Sequence, residues 1–357
     1  MIKIQEHLNR GDAEVYLDSL AESLWNSLNP KFKTKKGYKT TSLIEKCKKY
    51  KAETKKVSYR KQYAHNNINE VQRHKNFFDF LLASKATQLK RIIISRPNQF
   101  ASIKADIFNI LQPGDIITGT PGNYSQTPFG ILLSETIFNY KAFRSSDFCK
   151  ELFTNISMAS TSCPYCNDNN IKIVKLKSTS TLLTKLKAYL DLDHFYPKSQ
   201  NPFFALSFFN LVPTCHDCNS NDKGDKPFTI ETHIHPYQEA FDDFYTFKIS
   251  LTALLGDPID EIKITKSAAK PLDITLNDLN LEARYNTYLS EAEKLVKFFI
   301  DYRNKYIGSP DEPIFLEALF ELKGIPKYKR DILKNQRGKM NRDILKQIDI
   351  TKILNIV

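Results

Sequence analysis

Two C-x-x-C pairs, Cys163-Pro164-Tyr165-Cys166 and Cys215-His216-Asp217-Cys218, carry four of the six cysteines in the chain. Thiolates prefer a borderline-soft ion, and two such turns supply four sulfurs at tetrahedral geometry. That is the ligand set of a structural zinc with no open coordination position. The pairs lie roughly fifty residues apart, longer than in a compact zinc ribbon, so the pattern describes a clamp closed over an inserted element. The insert holds Asp193-His194 and then Asn210, and Asn219 directly follows Cys218. A neutral histidine can take a proton from water, while carboxylate and amide oxygens suit a hard divalent cation. These are the residue types of a hydrolytic metal centre. Cys47 and Cys149 stand alone and read as ordinary reduced thiols.

The elements that must hold these residues follow from the local pattern. Leu190 to Phe195 alternates as a strand and turns at Pro197, Phe209 to Pro213 reads as a second strand, and Asn219 to Asp225 begins a helix. Ser146 to Phe153 forms a helix leading into the first cysteine pair. Ile171 to Leu176 alternates apolar and basic residues, as a half-exposed strand does. Ser178 to Thr181 is a loop, and Leu182, Leu183, Leu186 and Tyr189 suit a short helix.

Upstream, Asp12 caps a helix running to Leu28, with Leu17, Leu20, Ala21, Leu24 and Leu28 on one face, and Asn29-Pro30 ends it. Asn67 to Ile94 is a second helical stretch and Ser102 to Leu111 a third, with Asp115 to Thr118 and Phe129 to Leu133 as short strands around a turn at Gly119 to Gly122. Downstream, Phe241 to Leu251 suits strands. Leu289, Ala292, Leu295, Val296, Phe299 and Ile300 make one apolar stripe, and Ile314 to Leu322 forms a further helix.

Composition bounds what the chain does. Its 357 residues predict two or three domains, and 41% hydrophobic content supports real cores. The formal net charge of +12 favours polyanionic partners or an acidic membrane surface. No apolar run approaches the roughly 20 residues that span a bilayer, and Met1 to Glu6 lacks the apolar core of a secretory signal, so a cytoplasmic protein is expected. Lysines are densest from Lys31 to Arg60, with Tyr38, Tyr50 and Tyr59 interleaved. That composition suits either phosphate contact with some stacking or a solvated face. A second basic run extends from Lys323 to Arg342.

The motifs L-D-H-F-Y-P-K-S, N-L-V-P-T-C and C-x-x-C-N-x-x-x-K-G, in that order, resemble the HNH nuclease superfamily, whose active element is a ββα-metal finger. His235-Pro236-Tyr237 and Leu279 to Asn286 are further similar to flanking segments of larger bacterial defence and restriction HNH proteins, among them Septu-type nucleases that work with an ATPase.

The resemblance implies an α+β protein in which a central ββα-metal finger is clamped by a four-cysteine zinc site. Mainly helical amino- and carboxy-terminal regions flank it, with divisions at 1–143, 144–245 and 246–357. It implies a metal-dependent endonuclease acting on DNA, in restriction or anti-phage defence. Its catalytic set would be His194, Asp193, Asn210 and Asn219. His194 would be the general base, Asp193 and Asn219 would hold Mg²⁺ or Mn²⁺, and Asn210 would fix the histidine ring. Cys163, Cys166, Cys215 and Cys218 would hold Zn²⁺.

Lys198 and Lys223 are expected to touch phosphates. His216 reads as an exposed side chain of the cysteine knuckle, and His233 and His235 as added ligands or a structural turn. Three alternatives stay open: a zinc-stabilised nucleic-acid-binding protein that does not cut, a nuclease subunit active only within an ATPase complex, and RNA as the substrate. A double-strand cut by one finger per chain would call for a homodimer.

Overall fold

The computed structural model describes residues 2–34, 36–120, 123–177 and 184–356. Amphipathic helices dominate its amino-terminal part. In Ala13–Leu28 the side chains of Leu17, Leu20, Ala21, Leu24 and Trp25 are buried, following the helical repeat. Asp12 occupies the cap position, but its carboxylate turns to Arg10 Nε at 2.6 Å and bonds no helix amide. Asn29 ends the helix and ties it to the next one, Leu43–Glu53, by accepting from Ile44 N at 3.0 Å. Asn67 caps the long helix Ile68–Ile94, accepting from Asn69 N at 2.9 Å. That helix is broken at Ala83–Ala86, where Ser84, Lys85 and Ala86 take φ of 48, 61 and 66°.

Two upstream expectations change. Phe129 to Leu133 is helical, not a strand, because Thr127 caps Gly130 N at 3.0 Å and Pro128 opens the first turn. Asp115 belongs to the helical turn Pro113–Ile116, and only Ile117–Thr118 forms a strand, paired with Ser125–Gln126. Of the expected turn, Pro121 and Gly122 lie outside the described residues. In the lysine-rich stretch Tyr59 is buried, so it packs the core and offers no stacking face.

The middle of the chain holds two small antiparallel sheets. Strands β1 (Ser160–Ser162), β2 (Asn170–Lys177) and β3 (Thr184–Tyr189) pair in that order. Strands β4 (Asp191–His194) and β5 (Leu211–Thr214) pair with Asp193 opposite Val212. A helical turn, Asp217–Lys223, follows. Residues Leu186 and Tyr189 therefore lie in a strand and not in the expected helix. Period-two pairing against β2 wins there over a weak helical spacing. The rest of that expectation, Leu182 and Leu183, falls outside the described residues, as does the Ser178 to Thr181 loop.

Beyond the second sheet, β6 (Tyr245–Lys248) pairs with β7 (Lys263–Lys266), and the helices Leu289–Tyr306 and Gly338–Ile348 close the molecule. Two residues of the basic carboxy-terminal run are internal. Lys339 and Arg342 are buried, and both reach Asp242, at 2.8 and 2.9 Å. One hydrophobic core extends from Ile2 to Leu354 and crosses all three expected regions. The architecture is mixed helix and small sheet, compatible with α+β. Among the described residues, no helix is long and apolar enough to cross a membrane.

Candidate metal centre and adjoining cavity

Cys163 and Cys166 sit between β1 and β2, whereas Cys215 directly follows β5 and Cys218 lies in the turn after it. The fold brings all four sulfurs within 4.8 Å of one another, every residue buried. Burial pushes the Cys163 thiol above its ordinary range, so a set of thiolates here needs compensation.

Each sulfur has an N–H donor. Cys163 accepts from Cys215 N at 3.3 Å, Cys166 from Asp168 N at 3.4 Å, Cys215 from Asn169 Nδ2 at 3.5 Å and Cys218 from Arg284 Nη1 at 3.2 Å. Burial alone would lower the Arg284 pKa. The sulfurs of Cys166 and Cys218 outweigh it and hold the guanidinium above its usual value. Four buried sulfurs in reach of one ion, each with a donor behind it, can hold a metal such as zinc.

The clamp reaches into the insert through Tyr165, which lies inside the first knuckle. Its hydroxyl donates to Asp193 Oδ2 at 2.5 Å, while Lys223 Nζ pairs with Oδ1 at 2.9 Å. Burial, and then the Asp193 carboxylate, raise the Tyr165 pKa, so the phenol stays a neutral donor. Lys223 is itself buried and also donates to His194 O at 2.9 Å. Both oxygens of Asp193 are thus engaged by protein donors, and the Lys223 ammonium fastens the end of β4 to the helical turn. Lys223, expected to touch phosphate, is 2% exposed and already bonded to Asp193 and His194 O, while its residue lines the adjoining cavity.

An open cavity of about 500 Å³ lies against this pair, and Asp193 and Lys223 form part of its wall. Its wall includes Tyr140, Asp191, His194, Lys198, His216 and Asn219. Asp191 is one of three carboxylates on its wall, with Asp193 and Asp225: its Oδ2 receives Asn219 Nδ2 at 3.1 Å and lies 2.9 Å from His216 Nδ1. His216 is exposed, as its place between the cysteines implies, yet it joins Asp191 instead of standing apart. Sequence reasoning gave Asp191 no role. Its position two residues before Asp193, on the same face of β4, was the available signal. Lys198 is half-buried, with Nζ 5.2 Å from the Tyr140 ring centre.

His194 ends β4, its ring edge-on to Tyr140 at 4.5 Å. Burial pushes its pKa down to about 3, so the imidazole is neutral at pH 7. Nε2 lies 3.1 Å from Ala205 O, which can only accept, so Nε2 carries the proton and Nδ1 the lone pair. The loop supplying Ala205 is tied by Asn210. Its side chain accepts from Tyr196 N at 2.7 Å and donates to Tyr196 O at 3.1 Å and Phe204 O at 3.2 Å. Asn210 therefore bonds the loop and not the ring, and it orients His194 at one remove through Ala205.

His233 and His235 do not line this cavity. His233 stacks on Phe228 at 3.6 Å and pairs with Asp278 at 3.0 Å. His235 is fully buried, with its pKa pushed down to about 3. A second group, Glu70, His74 and Asp115, also lies within 4.8 Å. There Asp115 is taken by Arg73 Nε at 2.7 Å and Gln112 N at 2.8 Å, and Glu70 faces His65 at 3.1 Å. A guanidinium already on the carboxylate makes this an internal charge cluster.

No family model matches the chain, and no solved structure matches it. A stretch of 77 residues, 21% of the chain, is 36% identical to Protein ea31 of Escherichia phage lambda. That stretch spans 20% of the phage protein's length.

Proposed function

We propose that the chain is a metal-dependent endonuclease of the HNH kind that hydrolyses DNA phosphodiester bonds. The observation that carries the reading is His194: a neutral imidazole, oriented by Ala205 O, on the wall of an open cavity that also holds a carboxylate and an amide. The order strand, loop, strand, helical turn around it agrees with the L-D-H and C-x-x-C-N motifs. Its setting in restriction or anti-phage defence rests on that resemblance alone.

In this reading Nδ1 of His194 takes the proton of the attacking water as general base. Asn210 holds the loop that keeps the ring in its tautomer. Asp191 and, with its amide turned over, Asn219 would hold Mg²⁺ or Mn²⁺ through their oxygens. Bound there, such an ion would neutralise charge on the scissile phosphate. Asp193, paired with Lys223, supports β4 and leaves the metal to Asp191. Lys198, which lines the cavity, would meet a phosphate.

Supercoiled plasmid with Mg²⁺ or Mn²⁺ tests the reading. Wild type should nick it, and His194→Ala should cut about 100-fold more slowly or worse, with zinc content and circular dichroism retained. Equal cutting by both proteins removes the catalytic assignment.

A further inference from the structure

The hairpin of β2 and β3 has two unlike faces, set by its register. Ile171 and Ile173 turn inward and are buried, and Leu186 and Ala188 lie half-buried on the same side. The outer face pairs Lys172 with Tyr189 and Val174 with Lys187, and the side chains of Lys172, Lys187 and Tyr189 are exposed. Tyr189 keeps 47% of its surface in water. Lys187 Nζ lies 4.8 Å and Lys172 Nζ 5.6 Å from its ring centre. Among the described residues, neither lysine is ion-paired, and this patch of the face carries no acid.

The patch leads directly to the cavity. Only Leu190 separates Tyr189 from Asp191, and Arg144 holds that elbow by donating to Leu190 O at 2.6 Å. A hollow of about 510 Å³ runs from Tyr189 to His216 and shares Asp191 and His216 with the cavity of His194. Asp217 lies on its far wall, where it accepts from Asn169 Nδ2 at 2.6 Å.

We infer that this outer face grips a single, unpaired DNA strand beside the cutting site, with Tyr189 stacking a base and Lys172 and Lys187 meeting the flanking phosphates. Two free cations around an exposed aromatic ring match the alternating phosphate and base of one strand. In duplex the base faces are already stacked on one another, so the ring has nothing to take. An acidic peptide would use the lysines and leave the tyrosine idle. The inference rests on the nuclease reading for what the strand is delivered to.

Fluorescence anisotropy of the full chain without Mg²⁺, using a labelled single-stranded oligonucleotide and its duplex, separates grip from cutting. Tyr189→Ala should weaken single-strand binding about tenfold and leave the duplex unchanged, and Tyr189→Phe should restore it. The double variant Lys172→Ala/Lys187→Ala should flatten the dependence of log Kd on log salt by about 1.4 on the single strand. Single-strand affinities within twofold of wild type in these variants overturn the grip, as does an equal loss on duplex and single strand in Tyr189→Ala. If plasmid cutting depends on His194 while hairpin variants bind normally, the grip fails and the nuclease stands. If His194→Ala cuts like wild type while Tyr189→Ala loses the single strand, the nuclease reading fails and the grip stands.

Discussion

The cysteine cluster and the His194 cavity are neighbours in sequence and are built on opposite terms. All four cysteines are buried, and each sulfur accepts an N–H, so the cluster is closed to water and complete. Across the cavity, Asp191 and His216 stay in contact with solvent, and their side chains bond each other, Asn219 and Ser220. A closed tetrathiolate can stabilise a fold but has no position left for a substrate. An open group of oxygen and nitrogen donors has the reverse character. The two meet through Tyr165 and Asn219, which place the clamp directly behind the cavity.

The largest expected effect comes from the closed side. Cys218→Ser, or removal of the metal by a chelator, should unfold the middle of the chain, because binding on the order of 10 kcal/mol is then missing from folding. Metal analysis with thermal melts reads this. An apo protein melting like the holo form would break the contrast. Withholding Mg²⁺ should leave the melt unchanged and stop cutting.

A sharper version compares two aspartates on one strand. Asp193→Asn leaves the buried Lys223 ammonium unpaired and should cost about 3–5 kcal/mol in urea unfolding. Asp191→Asn, at the rim, should change stability by no more than about 0.5 kcal/mol while abolishing Mg²⁺-dependent cutting. The opposite pattern would return the metal to Asp193.

A further contrast is in pH. Burial pushes His74, His194 and His235 down to about 3 from an ordinary 6.5, so below pH 6.5 the unfolded chain takes up protons that the folded chain refuses. Their contribution to stability is complete above about pH 6.5 and drains as pH falls toward 3, by up to about 1.4 kcal/mol per pH unit for each histidine. Urea midpoints at pH 7 and pH 5 measure it. A His194 ring titrating near 6.5 by NMR would take it out of the buried set.

How much was legible depends on the range of the cause. The apolar faces of Ala13–Leu28 and Leu289–Tyr306, the strand at Asp191–His194 and the spacing of the cysteine pairs are local patterns, and they read directly from the sequence. Short elements such as Phe129 to Leu133 did not, because one capping threonine and a following proline decide them.

At the site, the sequence by itself determined the chemistry on offer: four sulfurs, an imidazole, carboxylates and amides in one stretch. Only the tertiary structure decided which group meets which. It gave Asp193 to Lys223 and Tyr165, turned Asp191 to Asn219 and His216, moved Asn210 from the ring to the loop, and brought Arg284 from 66 residues away onto Cys218. Two aspartates two residues apart share a strand face and look alike in one dimension. Burial separates them, since a carboxylate inside must find a cation, while one at the rim keeps water and remains free to take a metal.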